Sequence, residues 1–220
     1  MMKNTVHGDK EQNFSEALMA DLLAGKYSPG EWLKQAELEG NYGANRFEVR
    51  IALAELNIRG LIEHLPNRGY RVCNYTDQDR EQLYEVRTLI ETAACRLIVQ
   101  RATDDQIAEF ERLVRAFQFA AENEGQLKMR EINFELHACL YSMAGNPMLA
   151  AQIKNLRERG IPGRKGVWDT VKSVQVSNAD HVEMLDMLRR RDAEGLAAVV
   201  YNHLNRWRKY AKPISPAESI

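Results

Sequence analysis

Apolar positions recur with a helical period along nearly the whole chain, interrupted by one short stretch of a different rhythm. Phe14, Leu18, Leu22 and Leu23 share a helical face, and Ser28-Pro29-Gly30 then forces a turn. A short helix is expected at about 35–41, broken by Gly43. A stronger one follows at about 46–59, burying Val49, Leu53 and Leu56, with Gly60 where a C-terminal capping glycine belongs. Two β-prone runs, 61–65 and 70–73, then flank Pro66-Asn67-Arg68-Gly69, which is the pattern of a hairpin. Beyond residue 75 no strand signal remains, and helices are predicted at about 78–101, 104–123, 126–144, 147–160, 172–190 and 193–211. Thr103 with Gln106, and Asn146-Pro147, supply helix starts. The expected fold class is therefore mostly α. An N-terminal unit at 13–75 is followed by an all-α bundle of about six helices at 76–212. Residues 1–12, polar and aperiodic, are expected to form a disordered arm, and 213–220 a tail.

Composition narrows the function classes. The 220 residues are 45% hydrophobic and 28% charged, as in an ordinary globular protein. The longest apolar runs, such as 196–200, fall far short of the roughly 18 residues of a membrane helix. Lys3, Asp9, Lys10 and Glu11 interrupt any secretory signal, and Cys73, Cys95 and Cys139 form neither a disulfide framework nor a CxxC site. The chain reads as cytoplasmic, with no membrane partner. Its formal net charge of −1 argues at first against nucleic acid, because such binders carry a basic face. Residues 1–76 hold nine Lys/Arg against ten Asp/Glu, and the remainder 21 against 21, so neither part is basic in bulk.

Local placement answers that objection. The order helix, short helix, helix, hairpin is that of a winged helix-turn-helix, with Gly43 at the turn. Arg46 and Arg50, four apart, share a face away from the buried stripe, where guanidinium forks suit guanine edges or phosphates. Arg68 and Arg71 in the hairpin are placed to reach phosphates or an adjacent groove. The plainer reading is a solvated face, in which Glu48 and Glu55 pair with these arginines.

The segment Tyr42-Gly43-Ala44-Asn45-Arg46-Phe47-Glu48-Val49-Arg50-Ile51-Ala52-Leu53, with Leu56, Gly60-Leu61-Ile62 and Pro66-Asn67-Arg68-Gly69, resembles the signature of the GntR family of bacterial transcription regulators. Pro29-Gly30 and Leu33 fit the same pattern, and the resemblance covers about residues 14–73. It implies DNA contacts by Arg46 and Arg50 on a recognition helix, with Asn45 at its start, and by Arg68 and Gly69 at the wing tip. Asn45, Phe47, Glu48 and Ile51 stand where the family usually has Ser, Thr, Pro and Glu, and Glu37 where a basic residue is common. These departures bear on which operator is read.

Three of the five histidines, His137, His181 and His203, fall in the helical part, and Asn133 precedes His137 by one helical turn. Three imidazoles and an oxygen ligand from different helices suit zinc or another divalent first-row metal, although a lone helical His is more often a core residue. Here too a resemblance enters. Residues 77–211 are similar to the FCD ligand-binding domain of the FadR subfamily of GntR regulators. The carrying residues are Arg87 and Glu91, Asn133, Leu136 and His137, Gly145-Asn146, His181, Leu185, Leu188, Arg191-Asp192 and His203-Leu204. It implies a metal held by His137, His181 and His203, with Asn133 at a position where metal-binding members have Asp. Asn brings an amide oxygen but no charge. Arg87 is similarly implied in an effector pocket for a small carboxylate, against the alternative of a structural ion pair with Glu91.

The expectation is a homodimeric transcription regulator that binds a palindromic operator in double-stranded DNA under control of a small organic-acid effector. Two alternatives are a metalloenzyme using the histidine cluster and a winged helix dimer with no ligand. No HExxH motif supports the enzyme.

Overall fold

Helix α1 (Thr5–Ala24) buries Phe14, Leu18 and Leu22, the periodic positions that predicted it. The computed structural model describes residues 5–159 and 171–210. The helix begins earlier than expected. Residues 5–12, read as part of a disordered arm, continue it, because adding turns to a helix already fixed by packing costs far less than starting one. Residues 1–4 of that arm and the 213–220 tail lie outside the described residues. A two-residue strand β1 (Trp32–Leu33) follows, then α2 (Gln35–Tyr42), ended by Gly43 in the left-handed conformation. Helix α3 (Arg46–Ile58) starts at a full capping box. Asn45 Oδ1 accepts from the Phe47 and Glu48 amides, and the Glu48 carboxylate accepts from the Asn45 amide. Gly60, at φ 74°, takes the chain out of the helix as its position implied.

Strands β2 (Ile62–Leu65) and β3 (Gly69–Val72) form the hairpin, and β1 adds to its other edge in the antiparallel order β1-β3-β2. Trp32 lies opposite Arg71 and Leu33 opposite Tyr70. This edge strand was not expected, since two residues are too few to show an alternation. Leu33, Leu38, Val49, Leu53, Leu56, Leu61, Ile62 and Val72 close the core of this unit with α1.

The second unit is helical. Its members are α4 (Asp77–Arg101), α5 (Asp104–Asn123), α6 (Gln126–Ser142), α7 (Pro147–Arg159), α8 (Val171–Arg189), α9 (Ala193–Asn205) and α10 (Trp207–Tyr210). Thr76 and Thr103 cap α4 and α5 with reciprocal bonds to Asp79 and Gln106, and Asn146 Oδ1 accepts from the Leu149 amide at the start of α7. The expected last helix is interrupted at Arg206, whose guanidinium is drawn to Asp180. Phe110, Phe117, Ile98, Leu136 and Leu140 are fully buried at the centre of the bundle. The units divide between Tyr75 and Thr76, and Glu158 and Arg159 at the end of α7 group with the first. Among the described residues no helix is long and apolar enough to cross a membrane.

Candidate functional site

The first unit presents cations with no partners. Arg46 and Arg50 are exposed on α3, and neither makes an ion pair or hydrogen bond among the described residues. The acids that the sequence offered them are engaged elsewhere. Glu48 closes the capping box, and Glu55 accepts from Ser15 Oγ at 2.7 Å. Glu37 pairs with Lys34 at 2.8 Å. Asn45, expected at the DNA surface, has its side-chain oxygen committed to the cap.

In the hairpin, Arg68 is exposed between Asn67 and Gly69, both at positive φ, and its guanidinium lies 5.1 Å from the centre of the Trp32 ring. Gly69, at φ 99°, adopts a backbone that a side chain would strain. Arg71 has a partner within the sheet. It donates to Glu63 across the strands at 2.8 Å and flanks the same tryptophan at 5.9 Å, so it is neutralised within the sheet. Trp32 was not singled out by the sequence reading, because β1 was not visible.

The second unit presents the opposite situation, polar atoms buried without partners. His137 on α6, His181 on α8 and His203 on α9 converge, with each pair of ring centroids 5.2 Å apart. One nitrogen from each ring lies within 4.8 Å of the others. His137 and His181 are fully buried, and among the described residues neither nitrogen of either ring has a hydrogen-bond partner. The buried Oδ1 of Asn133, one turn before His137, has none either. Burial, reinforced by Arg157 beside His137 and by His203 beside His181, holds both imidazoles well below their ordinary pKa. They are neutral at pH 7, with lone pairs available, which is the form that ligates metal.

His203 is oriented from behind. Its Nδ1 lies 3.1 Å from the buried Asp180 carboxylate, which also accepts from Arg206 Nε at 2.8 Å. With Asp180 ionised, Nδ1 carries the proton and Nε2 keeps its lone pair. Asp180 escaped the sequence reading, since its partners lie on another element.

Beside the cluster sits a buried charge network. Arg87 Nε donates to Glu91 at 2.6 Å, as the structural alternative required, but the pair is not closed on itself. Arg157 Nη1 also reaches Glu91 at 3.2 Å, and Tyr141 donates to it at 2.5 Å. Burial drives the Glu91 carboxyl up, and the two guanidiniums overcome it, leaving its pKa below the ordinary value. Tyr141 stacks one turn from His137 with centroids 6.3 Å apart, so network and cluster share α6. Among the described residues, two arginines against one carboxylate leave a surplus positive charge, and Arg157 Nε has no partner. Neither Arg157 nor Tyr141 was found from sequence, since no helical spacing links them to Glu91.

Comparison with known proteins agrees with this division. Residues 11–72 match the profile of bacterial regulatory proteins of the gntR family, and residues 82–206 match the FCD domain. The chain is 27% identical over 183 residues to the Nta operon transcriptional regulator of Aminobacter aminovorans, covering 82% of this chain and 84% of that one. It is 26% identical to the galactonate operon transcriptional repressor of Escherichia coli, covering 79% and 84%. The fold is shared with E. coli McbR/YncC at a TM-score of 0.81 and 20% identity, over 95% of this chain and 97% of that one. It is shared also with a putative GntR regulator from Rhodococcus at 0.73 and 18%, over 91% and 96%. A gntR-type winged helix is thus joined to an FCD bundle in one chain, and the chain belongs to the GntR family as a DNA-binding transcriptional regulator of the FadR type.

Proposed function

We propose that this regulator binds a palindromic operator as a homodimer and is controlled by a small carboxylate that enters the helical unit beside a divalent first-row metal. The reading rests on the orphaned ring nitrogens of His137 and His181. A buried polar atom without a partner costs about 1–3 kcal/mol, so these rings make a poor core, whereas one nitrogen from each, converging with one from His203, makes a good ligand set. His137, His181 and His203 would hold the metal, with Asn133 as the fourth donor. All four are neutral, so the metal retains its charge and attracts an anion. When bound, it supplies a Lewis-acid anchor for one end of a carboxylate. Arg157 and Arg87 add positive charge beside His137, favouring an acid over a neutral ligand. Asp180 fixes the His203 ring through Nδ1. Arg46, Arg50, Arg68 and Gly69 would contact the DNA, and unequal affinity of the effector for free and operator-bound protein would provide the control.

Elemental analysis of the full-length protein tests the site. The wild type should retain about one metal per chain after dialysis, and a protein carrying His137→Ala and His181→Ala should retain none. Stoichiometric metal in the double variant removes the ligand set. A thermal-shift screen of small carboxylates should then find a stabilising acid whose effect is lost with the metal.

A further inference from the structure

Helix α3 has two apolar stripes. Val49, Leu53 and Leu56 face the core. Phe47, Ile51, Ala54 and Ile58 recur at the same helical spacing on the other side, and Phe47 is 63% exposed. An aromatic ring in the first turn of an exposed helix lowers helix propensity and orders water, so a serine or threonine there would cost the free protein less. No ring contact covers Phe47 among the described residues.

Its surroundings specify what would cover it. Arg46 precedes it and Arg50 follows within a turn, both exposed and unpaired. The shallow groove alongside is lined by Gln35, Arg50, Ile51, Ala54 and His64 together with Phe47. Cations flanking an apolar strip on a DNA-binding helix complement the major groove. Phosphates and purine edges offer acceptors there, and the thymine C5 methyl is the apolar feature of a base edge.

We propose that Phe47, with Ile51 one turn on, reads the C5 methyl of a thymine in the operator's major groove. Contact removes the ring and the methyl from water together. Cytosine at that position presents its N4 amino group to an apolar surface, where a donor left without a partner is penalised. The ring thus selects thymine while the flanking arginines set register.

The test removes the methyl alone. An operator is selected from random duplexes with the full-length protein, and each thymine is replaced singly by deoxyuridine. Affinity is measured by fluorescence anisotropy at fixed salt. The wild type should lose about fourfold at one thymine position in each half-site, the worth of one buried methyl group. Phe47→Ala should bind the thymine and deoxyuridine operators equally, with an unchanged melting temperature. Phe47→Leu should keep part of the difference. Indifference of the wild type to every deoxyuridine, as expected if the strip docks a protein instead, overturns the assignment. So does a methyl penalty that survives undiminished in Phe47→Ala or that disappears only in Ile51→Ala. Should Phe47→Ala fold poorly, Phe47→Gln, polar and a better helix former than the native Phe, carries the same comparison.

Discussion

The two units carry unpaired polar groups for opposite reasons. On α3 the guanidiniums of Arg46 and Arg50 lack partners among the described residues but stand in water, which satisfies their donors at little cost. In the bundle, the nitrogens of His137 and His181 lack partners where water does not reach them. The first arrangement is a surface kept available, stable whether or not DNA is present. The second is destabilising until something fills it. A regulator built this way can keep its DNA-reading face constant while its bundle responds to an occupant. The contrast also ranks the consequences of substitution, which should be larger for stability in the bundle and larger for affinity on the winged helix.

The largest effect should come from Glu91, the single carboxylate between Arg87 and Arg157. Glu91→Ala leaves two guanidiniums buried without a counter-charge and should destabilise the protein by about 3–5 kcal/mol in chemical denaturation. Formate or acetate at high concentration should restore part of the loss by taking the vacated place. A variant as stable as the wild type would mean that the network opens to solvent, and the contrast between the units would fail.

A pH dependence follows from the histidines. In metal-free protein both His137 and His181 have pKa values held below the ordinary range, by burial first and then by neighbouring cations. The unfolded chain takes up protons near pH 6.5 while the folded one does not. Their contribution is therefore fully present above about pH 6.5 and is lost progressively as pH falls from there toward their lower folded-state values. The expected slope is about 2.7 kcal/mol per pH unit for the two groups together. Urea titrations of chelator-treated protein between pH 7 and 5 measure it. Replacing both residues by Leu should flatten the profile and raise the stability of the metal-free form, because two orphaned rings are removed.

On the winged helix the expected effects are on affinity. Arg50→Ala should weaken operator binding by about 1–3 kcal/mol if the side chain reads a base, with melting unchanged because it has no partner to lose. A shift in melting temperature with intact binding would invert the comparison.

What was legible in the sequence follows the same division. Helical periodicity and turn residues located every long element, since the signals for Thr103, Gly60 and Asn146-Pro147 are local. The strand Trp32–Leu33 was invisible because two residues carry no period, and with it went the ring beneath Arg68. The three histidines could be named, but their 5.2 Å convergence depends on how α6, α8 and α9 pack. Arg157 meets Glu91 across 66 positions, and Arg206 meets Asp180 across 26. No spacing rule reaches that far, so the occupants of a buried site were harder to read than the arginines on a helix. The pairing of Arg71 was hidden for a related reason, as its acid, Glu63, lies eight positions away across a hairpin.

The smallest predicted effect is also the sharpest on the exposed surface. Asn45 stands between the two situations, exposed on the reading face yet already satisfied by the protein. Its Oδ1 accepts from the Phe47 amide at 2.9 Å and the Glu48 amide at 3.0 Å, while the Glu48 carboxylate accepts from the Asn45 amide at 2.7 Å. Asn45→Ala should cost about 1 kcal/mol of stability, the usual value of an N-cap, and should loosen the turn that carries Arg46. Asn45→Ser, which caps equally well, separates the roles. If capping is all that Asn45 does, serine restores both the melting temperature and the operator affinity. If the amide also touches DNA, serine restores the melting temperature and leaves the affinity low.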